Sequence, residues 1–90
     1  MPGQSYRYLI TKTAARDLNS LPPPVRERIG KKLKYFIESG DPLKFANKLT
    51  GMSDADYRFR VGVYRIVFIL ERNTIYIVRV QHRGKVYRNR

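Results

Sequence analysis

Residues 57–66, with the sequence YRFRVGVYRI, decide the fold because they have the pattern of a β-hairpin. Up to Val61, aromatic or branched apolar side chains alternate with arginines, which is the period of two expected for a strand with one buried face. Gly62-Val63 then suits a two-residue type II′ turn with glycine in the first position. A turn of this length fixes the cross-strand partners: Val61 faces Tyr64, Arg60 faces Arg65 and Phe59 faces Ile66.

The predicted register brings three arginines to one face of the hairpin. Arg58 and Arg60 share that face because strand side chains alternate, and Arg65 lies opposite Arg60. Like charges directly opposite each other oppose pairing by up to about 1 kcal/mol, so folding alone gives no reason for this arrangement. One interpretation is a solvated face in a chain that is rich in arginine. The other is a preformed anion site, because guanidinium groups bind phosphate oxygens bidentately and stay charged at physiological pH.

Outward from the hairpin, the N-terminal half predicts one strand and two helices. Tyr6 to Thr11 is rich in aromatic and β-branched residues, as is typical of a strand. Thr13 suits the N-cap of a short helix that ends before Pro22. A second helix begins near Pro24, its apolar residues recur at intervals of three and four, and Gly40 closes it.

The second half of the chain changes to the period of strands. Residues 41–56 are irregular and contain several turn formers. Residues 64–70 are almost wholly apolar, as in a central strand with both faces covered, and residues 75–80 predict a last strand. The order β-α-α-β-β-β predicts an α+β fold. We expect a single domain over residues 1–90, in which a helix hairpin packs on one face of a mostly antiparallel sheet.

The charge balance points to a polyanionic partner. The 90 residues include 19 Lys and Arg against 7 Asp and Glu, a formal net charge of +12. The absence of cysteine and the single histidine argue against disulfides, thiolate sites and ordinary zinc sites, so no metal or cofactor is expected. The longest apolar run, Ile66–Leu70, is too short to span a membrane, and the first residues lack a signal-peptide pattern. We therefore expect a cytoplasmic protein.

Residues beyond the last predicted strand supply further polar side chains. His82, Arg83 and Tyr87 leave the sheet beside the arginines of the hairpin. A lone histidine is more often structural than catalytic, and tyrosines in a small protein more often pack in the core than stack on bases. The basic run of the second helix, Arg26 to Lys34, is either a solvated face or a track for an RNA backbone.

Three segments of the chain carry a family resemblance. They are ANKL with GM in residues 46–52, YRFR leading to GVYRIVF in residues 57–68, and VQHR leading to VY in residues 80–87. With these segments the chain resembles the RelE branch of the RelE/ParE superfamily, the small toxins of toxin–antitoxin modules. The resemblance covers nearly the whole chain, and the predicted order of elements matches that family's fold.

The resemblance implies a ribosome-dependent endoribonuclease that enters the A site of the ribosome and cuts messenger RNA there. It also implies a cognate RelB-type antitoxin, in a hetero-oligomeric complex that binds operator DNA through the antitoxin. By position, the functional residues of the family correspond to Arg58, Arg60, Arg65, Arg83 and Tyr87. The best-studied members carry lysines where this chain has Arg58 and Arg60. A lysine can act as a base, whereas arginine does not lose its proton.

The reaction implied is metal-independent attack of a ribose 2′-hydroxyl on the neighbouring phosphate. The candidate catalytic residues, which stabilise the pentacoordinate phosphorus or transfer protons, are Arg58, Arg60, Arg65, His82, Arg83 and Tyr87. The candidate RNA-binding residues are Lys31, Lys32, Lys34, Lys48 and Arg88. Proton transfer falls to His82 or Tyr87, with ribosomal RNA as a third source. We expect His82→Ala and Tyr87→Phe to lower the cleavage rate more than they weaken ribosome binding.

Two other functions fit the same sequence. The ParE branch of the fold inhibits DNA gyrase without nuclease chemistry, and it predicts that the arginine face is dispensable for toxicity. A non-catalytic RNA-binding or ribosomal protein also needs positive charge and aromatic residues, and it predicts no growth arrest on expression. The cause of any growth arrest, halted translation or damaged DNA, and a neighbouring reading frame for a short acidic antitoxin distinguish these functions.

Overall fold

The computed structural model describes residues 5–50 and 55–82. Two helices, α1 and α2, and five strands, β1 to β5, make up the described chain. In chain order they are β1 (Arg7–Ile10), α1 (Lys12–Asn19), α2 (Pro23–Glu38), β2 (Ala46–Lys48), β3 (Tyr57–Val61), β4 (Tyr64–Glu71) and β5 (Thr74–His82), with a 3₁₀ turn at Pro42–Phe45 before β2.

The strands form one sheet in the order β1-β5-β4-β3-β2. β1 runs parallel to β5, with Arg7 opposite Thr74, and the other neighbours are antiparallel. The α+β class predicted from the sequence is confirmed. The prediction that residues 41–56 are wholly irregular is wrong, because β2 lies there and pairs with β3. Its three residues, Ala-Asn-Lys, are too few and too polar to show a strand pattern.

The β3–β4 hairpin has the predicted register. Val61 pairs with Tyr64, Arg60 with Arg65 and Phe59 with Ile66. Gly62 has a φ of 60°, in the left-handed region that glycine enters without a steric penalty, whereas Val63 keeps a negative φ. In a type II′ turn only the first of the two central residues has a positive φ, so this turn is of type II′. The turn therefore fixes which side chains face which side of the sheet.

The N-cap of helix α1 is Thr11, two residues before the predicted N-cap Thr13. The side chain of Thr11, not that of Thr13, accepts a hydrogen bond from the amide of Ala14 at 3.3 Å. The same hydroxyl donates to the carbonyl oxygen of Ile77 at 2.9 Å. The N-cap therefore joins α1 to β5, a long-range contact that no local pattern indicates. Helix α2 begins at Pro23, since proline is favoured in the first turn.

The core lies between the helices and one face of the sheet. The helices contribute Ala14, Ile29, Leu33 and Phe36, and the strands contribute Phe59, Val61, Ile66, Phe68, Ile75, Ile77 and Val80. The ring of Phe59 is stacked between Phe36 and Phe68, with both centroid distances at 4.6 Å. Each fully buried Val, Leu, Ile or Phe side chain contributes about 1.5–3 kcal/mol to the free energy of folding. Both helices thus cover the same face of the sheet.

Across residues 5–50 and 55–82, neither helix has the length and apolar character of a membrane span.

Candidate anion-binding cleft

The three predicted arginines of the hairpin lie on the face of the sheet that the helices leave uncovered. Arg60 and Arg65 are direct cross-strand partners, and Arg58 pairs with Val67. Their strand neighbours Phe59 and Ile66 are fully buried on the helix side. Strict alternation along β3 and β4 therefore produces the arginine face that the sequence predicts.

A cleft of about 300 Å³ lies on this face. Its lining residues come from β3, β4, β5 and the segment around β2: Leu49, Ala55, Arg58, Arg65, Val67, Val78, Arg79 and Gln81. Arg60 is exposed and does not line the cleft. Four of the eight lining residues are apolar, so charge inside the cleft is less screened by water than at a fully polar surface.

The guanidinium groups of Arg58 and Arg65 are incompletely satisfied. The Nε atom of each is buried and has no hydrogen-bond partner. Burial, followed by repulsion from Arg65 and Arg60, lowers the pKa of Arg58 below its ordinary value. Arginine nevertheless keeps its proton at neutral pH. Two charged donors without acceptors in a shared cleft are what an anion with several oxygens would satisfy.

Two polar residues of the cleft, Arg79 and Gln81, are not among the candidates from the sequence. They reach this face because β5 contains an extra residue where it pairs with Val67 and Phe68 of β4. Val67 pairs with Arg79 and Phe68 with Ile77, which leaves Val78 as a β-bulge. The bulge reverses the alternation beyond Ile77. The sequence contains one indication of this bulge. Strict alternation from Ile75 and Ile77 would bury Arg79 under the helices, which is unfavourable for a charged side chain.

The same bulge moves His82 away from the arginines. His82 pairs with Tyr64, and its imidazole lies edge-on to the Tyr64 ring at a centroid distance of 5.2 Å. Tyr64 packs against the core under the helices. The structure thus brings Arg58, Arg60 and Arg65 to one face and places His82 on the other. Arg83, Tyr87 and Arg88 lie outside the described residues.

None of the four candidate RNA-binding lysines lines the cleft. Lys31, Lys32 and Lys34 are exposed on α2, which packs on the opposite face of the sheet, and Lys48 is exposed on β2 at its edge. The ammonium group of Lys32 lies 5.7 Å from the centre of the exposed Tyr35 ring. In the part of the chain that the structure describes, no three His, Cys, Asp or Glu side chains are grouped as metal ligands.

Comparison with known proteins gives one consistent family. The family model described as the ParE toxin of type II toxin–antitoxin systems (parDE) matches residues 8–87. Toxin RelG of Mycobacterium tuberculosis is 32% identical over 85 residues, covering 92% of this chain and 97% of its own. Toxin RelE3 of Methanocaldococcus jannaschii is 36% identical over 88 residues, covering 90% of this chain and 94% of its own.

Several solved structures of similar fold are toxin–antitoxin complexes. The RelBE2 complex of Mycobacterium tuberculosis contains a chain that superposes with a TM-score of 0.71 at 29% identity, covering 89% of this chain and all of that one. The archaeal RelE-RelB complex of Pyrococcus horikoshii gives a TM-score of 0.70 at 31% identity, covering 92% and 100%.

Proposed function

The chain belongs to the RelE/ParE family of toxins from type II toxin–antitoxin systems, and on that premise we propose that it is an endoribonuclease that cuts messenger RNA in the A site of the ribosome. The observation that carries the proposal is the cleft in which the Nε atoms of Arg58 and Arg65 are buried without acceptors. A phosphodiester supplies those acceptors. Its non-bridging oxygens also gain negative charge in the transition state, when the arginines bind them most strongly.

The proposed step is an in-line displacement at phosphorus. The ribose 2′-oxygen forms a bond to the adjacent phosphorus, and the bond from phosphorus to the 5′-oxygen of the next nucleotide breaks. The products are a 2′,3′-cyclic phosphate and a 5′-hydroxyl. One proton leaves the 2′-hydroxyl and another reaches the 5′-oxygen, so charge and atoms balance. Arg58 and Arg65 stabilise the phosphorane, with Arg60 at the exposed rim of the same face.

Proton transfer requires a group within hydrogen-bond reach of the 2′- or 5′-oxygen. The imidazole of His82 lies across the sheet from the arginine face, against Tyr64. We therefore assign the proton-transfer role to Tyr87 or to ribosomal RNA, and Arg83 is proposed as a further phosphate contact. A free phenol has a pKa of about 10, so Tyr87 would act as a base only with cations beside its oxygen.

The proposed partners follow from charge and from the family. The similar chains from Mycobacterium tuberculosis and Pyrococcus horikoshii are in toxin–antitoxin complexes with RelB-type proteins. We propose a RelB-type antitoxin for this chain, with operator binding through the antitoxin. The exposed lysines of α2 bind ribosomal RNA, because a net charge of +12 favours a phosphate backbone.

Cleavage mapping on a translated message tests the nuclease. Ribosomes stalled with an empty A site are incubated with the toxin, and the new 5′ ends are mapped. We expect cuts in the A-site codon for the native chain and for Arg16→Ala, which removes an exposed cation of α1 outside the cleft. We expect a loss of 10²- to 10³-fold for Arg65→Ala, in line with removal of one transition-state donor. The proposal fails if the native chain makes no A-site cuts while Arg65→Ala and Arg60→Ala stay as toxic.

Inhibition of DNA gyrase is the second candidate, and the match of the ParE family model to residues 8–87 favours it. It predicts that purified toxin blocks supercoiling of relaxed plasmid by gyrase. It also predicts that Arg58 and Arg65 are dispensable. A supercoiling assay with the native chain and Arg65→Ala therefore separates the two functions.

A further inference from the structure

A carboxylate from helix α1 binds the strand that borders the cleft. Asp17 Oδ2 accepts hydrogen bonds from Arg79 Nε at 2.9 Å and from the amide of Val80 at 2.8 Å. Asp17 Oδ1 accepts a longer one from Arg79 Nη2 at 3.3 Å. The two side chains thus form a bidentate ion pair between elements 62 residues apart in sequence.

The topology of the sheet explains why a helix supplies this acceptor. β1 pairs with β5 only as far as Ile77, and Thr11 then turns the chain into α1. Beyond Ile77, no strand within residues 5–50 and 55–82 pairs with this edge of β5. Asp17 binds the Val80 amide here, two residues after the bulge at Val78. It therefore fixes both the bulge and the side chain that the bulge redirects.

Arg79 lines the cleft together with Arg58 and Arg65, whose buried Nε atoms lack acceptors. Its side chain is 42% exposed, whereas that of Asp17 is only 17% exposed. A guanidinium group has five N–H donors in one plane, and a bidentate carboxylate on one side fixes the orientation of that plane. We propose that Arg79 is a third phosphate-binding arginine of the cleft and that Asp17 is the positioning residue that orients it. The RNA phosphate as ligand rests on the nuclease proposed above.

Inorganic phosphate tests the anion site without ribosomes. The Nε–H signals of the arginines are followed by NMR while phosphate is added to the free toxin at constant ionic strength. We expect the signals of Arg58, Arg65 and Arg79 to shift together with one dissociation constant. Arg79→Ala should weaken phosphate binding at least about fivefold, and Arg16→Ala should leave it unchanged. The proposal is wrong if the Arg79 signal stays still while those of Arg58 and Arg65 move, or if none of the three shifts.

A double-mutant cycle tests the role of Asp17. Asp17→Asn keeps an oxygen to accept from the Val80 amide but removes the charge that orients Arg79. We expect it to lower the cleavage rate at saturating toxin about tenfold when Arg79 is present and to change nothing further in the Arg79→Ala background. Glu38→Gln, which removes an exposed carboxylate at the end of α2, is the charge-matched control.

A purely structural role for Asp17 would give a different result: a lower Tm and an equal fold-loss of activity in both backgrounds. Arg79→Lys adds a second check, because it keeps the charge but not the fork, and we expect it to rescue less than half of the lost rate. A chain that binds phosphate through Arg79 but cuts no RNA would refute the nuclease and leave this anion site standing. If the native chain cuts RNA and Arg79→Ala cuts it equally well, the nuclease stands and the role of Arg79 is refuted.

Discussion

Arg65 occupies a position where folding alone would not place a charge. It faces Arg60 across the hairpin, and its Nε atom is buried without an acceptor. Both features oppose the folded state, and both become favourable once an anion enters the cleft. Anion binding thus explains the position of Arg65, whereas folding stability does not.

The geometry of the Arg65 fork leads to a prediction about lysine. Arg65→Lys keeps the charge but replaces five planar donors with a single ammonium group. We expect the cleavage rate at saturating toxin to fall at least about tenfold, while ribosome affinity changes less than twofold. Single-turnover cleavage and ribosome pelleting measure the two quantities. An unchanged cleavage rate would mean that Arg65 acts only as a point charge.

The burial of Arg58 leads to a prediction about stability. Burial and the neighbouring arginines lower its pKa, which means that the folded state disfavours its charge. Arg58→Met keeps the length of the side chain and removes that charge, so the free energy of unfolding should not fall, while water screening keeps any rise well below about 1 kcal/mol and cleavage is lost. Arg60→Met, at an exposed position, should leave stability within about 0.5 kcal/mol. Urea denaturation measures both, and a destabilised Arg58→Met variant would contradict the argument.

The position of His82 changes what we expect of the proton-transfer candidates. Because the imidazole packs against Tyr64 on the helix side, His82→Ala should leave the cleavage rate within about threefold. Tyr87→Phe should lower that rate at least tenfold and affect ribosome binding less. Rates measured at saturating toxin decide between the two residues. A large loss for His82→Ala alone would restore the expectation drawn from the sequence.

Local sequence determines most of the cleft but not all of it. The alternation of residues 57–61 and the glycine turn correctly place Arg58, Arg60 and Arg65 on one face. Which of them enter the cleft depends on what covers that face, and Leu49 and Ala55 come from a segment with no periodic pattern. Arg79 and His82 exchange faces through the bulge, because one inserted residue reverses every later side chain in a strand.

At the scale of elements, the β4–β5 turn contains a residue in an unfavourable conformation. Arg72 has a φ of 55°, and a side chain with a Cβ atom pays about 1 kcal/mol or more there. We expect Arg72→Gly to raise the free energy of unfolding by about 0.5–1 kcal/mol. The same change at Arg16, inside α1, should lower it by about 1 kcal/mol, since glycine disfavours a helix. Thermal denaturation of both variants makes the comparison, and a destabilised Arg72→Gly would contradict it.

The elements themselves differ in how well the sequence predicts them. Long amphipathic α2 and the β3–β4 hairpin follow from periodicity and turn chemistry. The N-cap of α1 does not: the sequence predicts Thr13, whereas Thr11 caps the helix and its hydroxyl also donates to the Ile77 carbonyl oxygen. The three residues of β2 form a strand only because β3 supplies the partner.

At the scale of the molecule, basic side chains of the described residues lie on both faces of the sheet. The arginines of the cleft lie on one side of the sheet, and the lysines of α2 lie on the other. We expect the logarithm of ribosome affinity to fall steeply and linearly with the logarithm of salt concentration. Removing Lys31 and Lys32 together should reduce that slope by about two, whereas Lys12→Ala on α1 should not. A flat salt response in binding titrations would remove the electrostatic account of docking.

The parallel pairing of β1 with β5 also determines when the sheet can be completed during synthesis. Among the strands of residues 5–50 and 55–82, β1 is synthesised first and its partner β5 last. Until β5 emerges, β1 has no neighbour in the sheet, and the core lacks Ile75, Ile77 and Val80. Long-range pairing of this kind delays folding until nearly the whole of residues 7–82 has been made. Arg79 and Gln81 of β5 line the cleft, so the cleft cannot be complete before residues 74–82 have been made and have paired with β4.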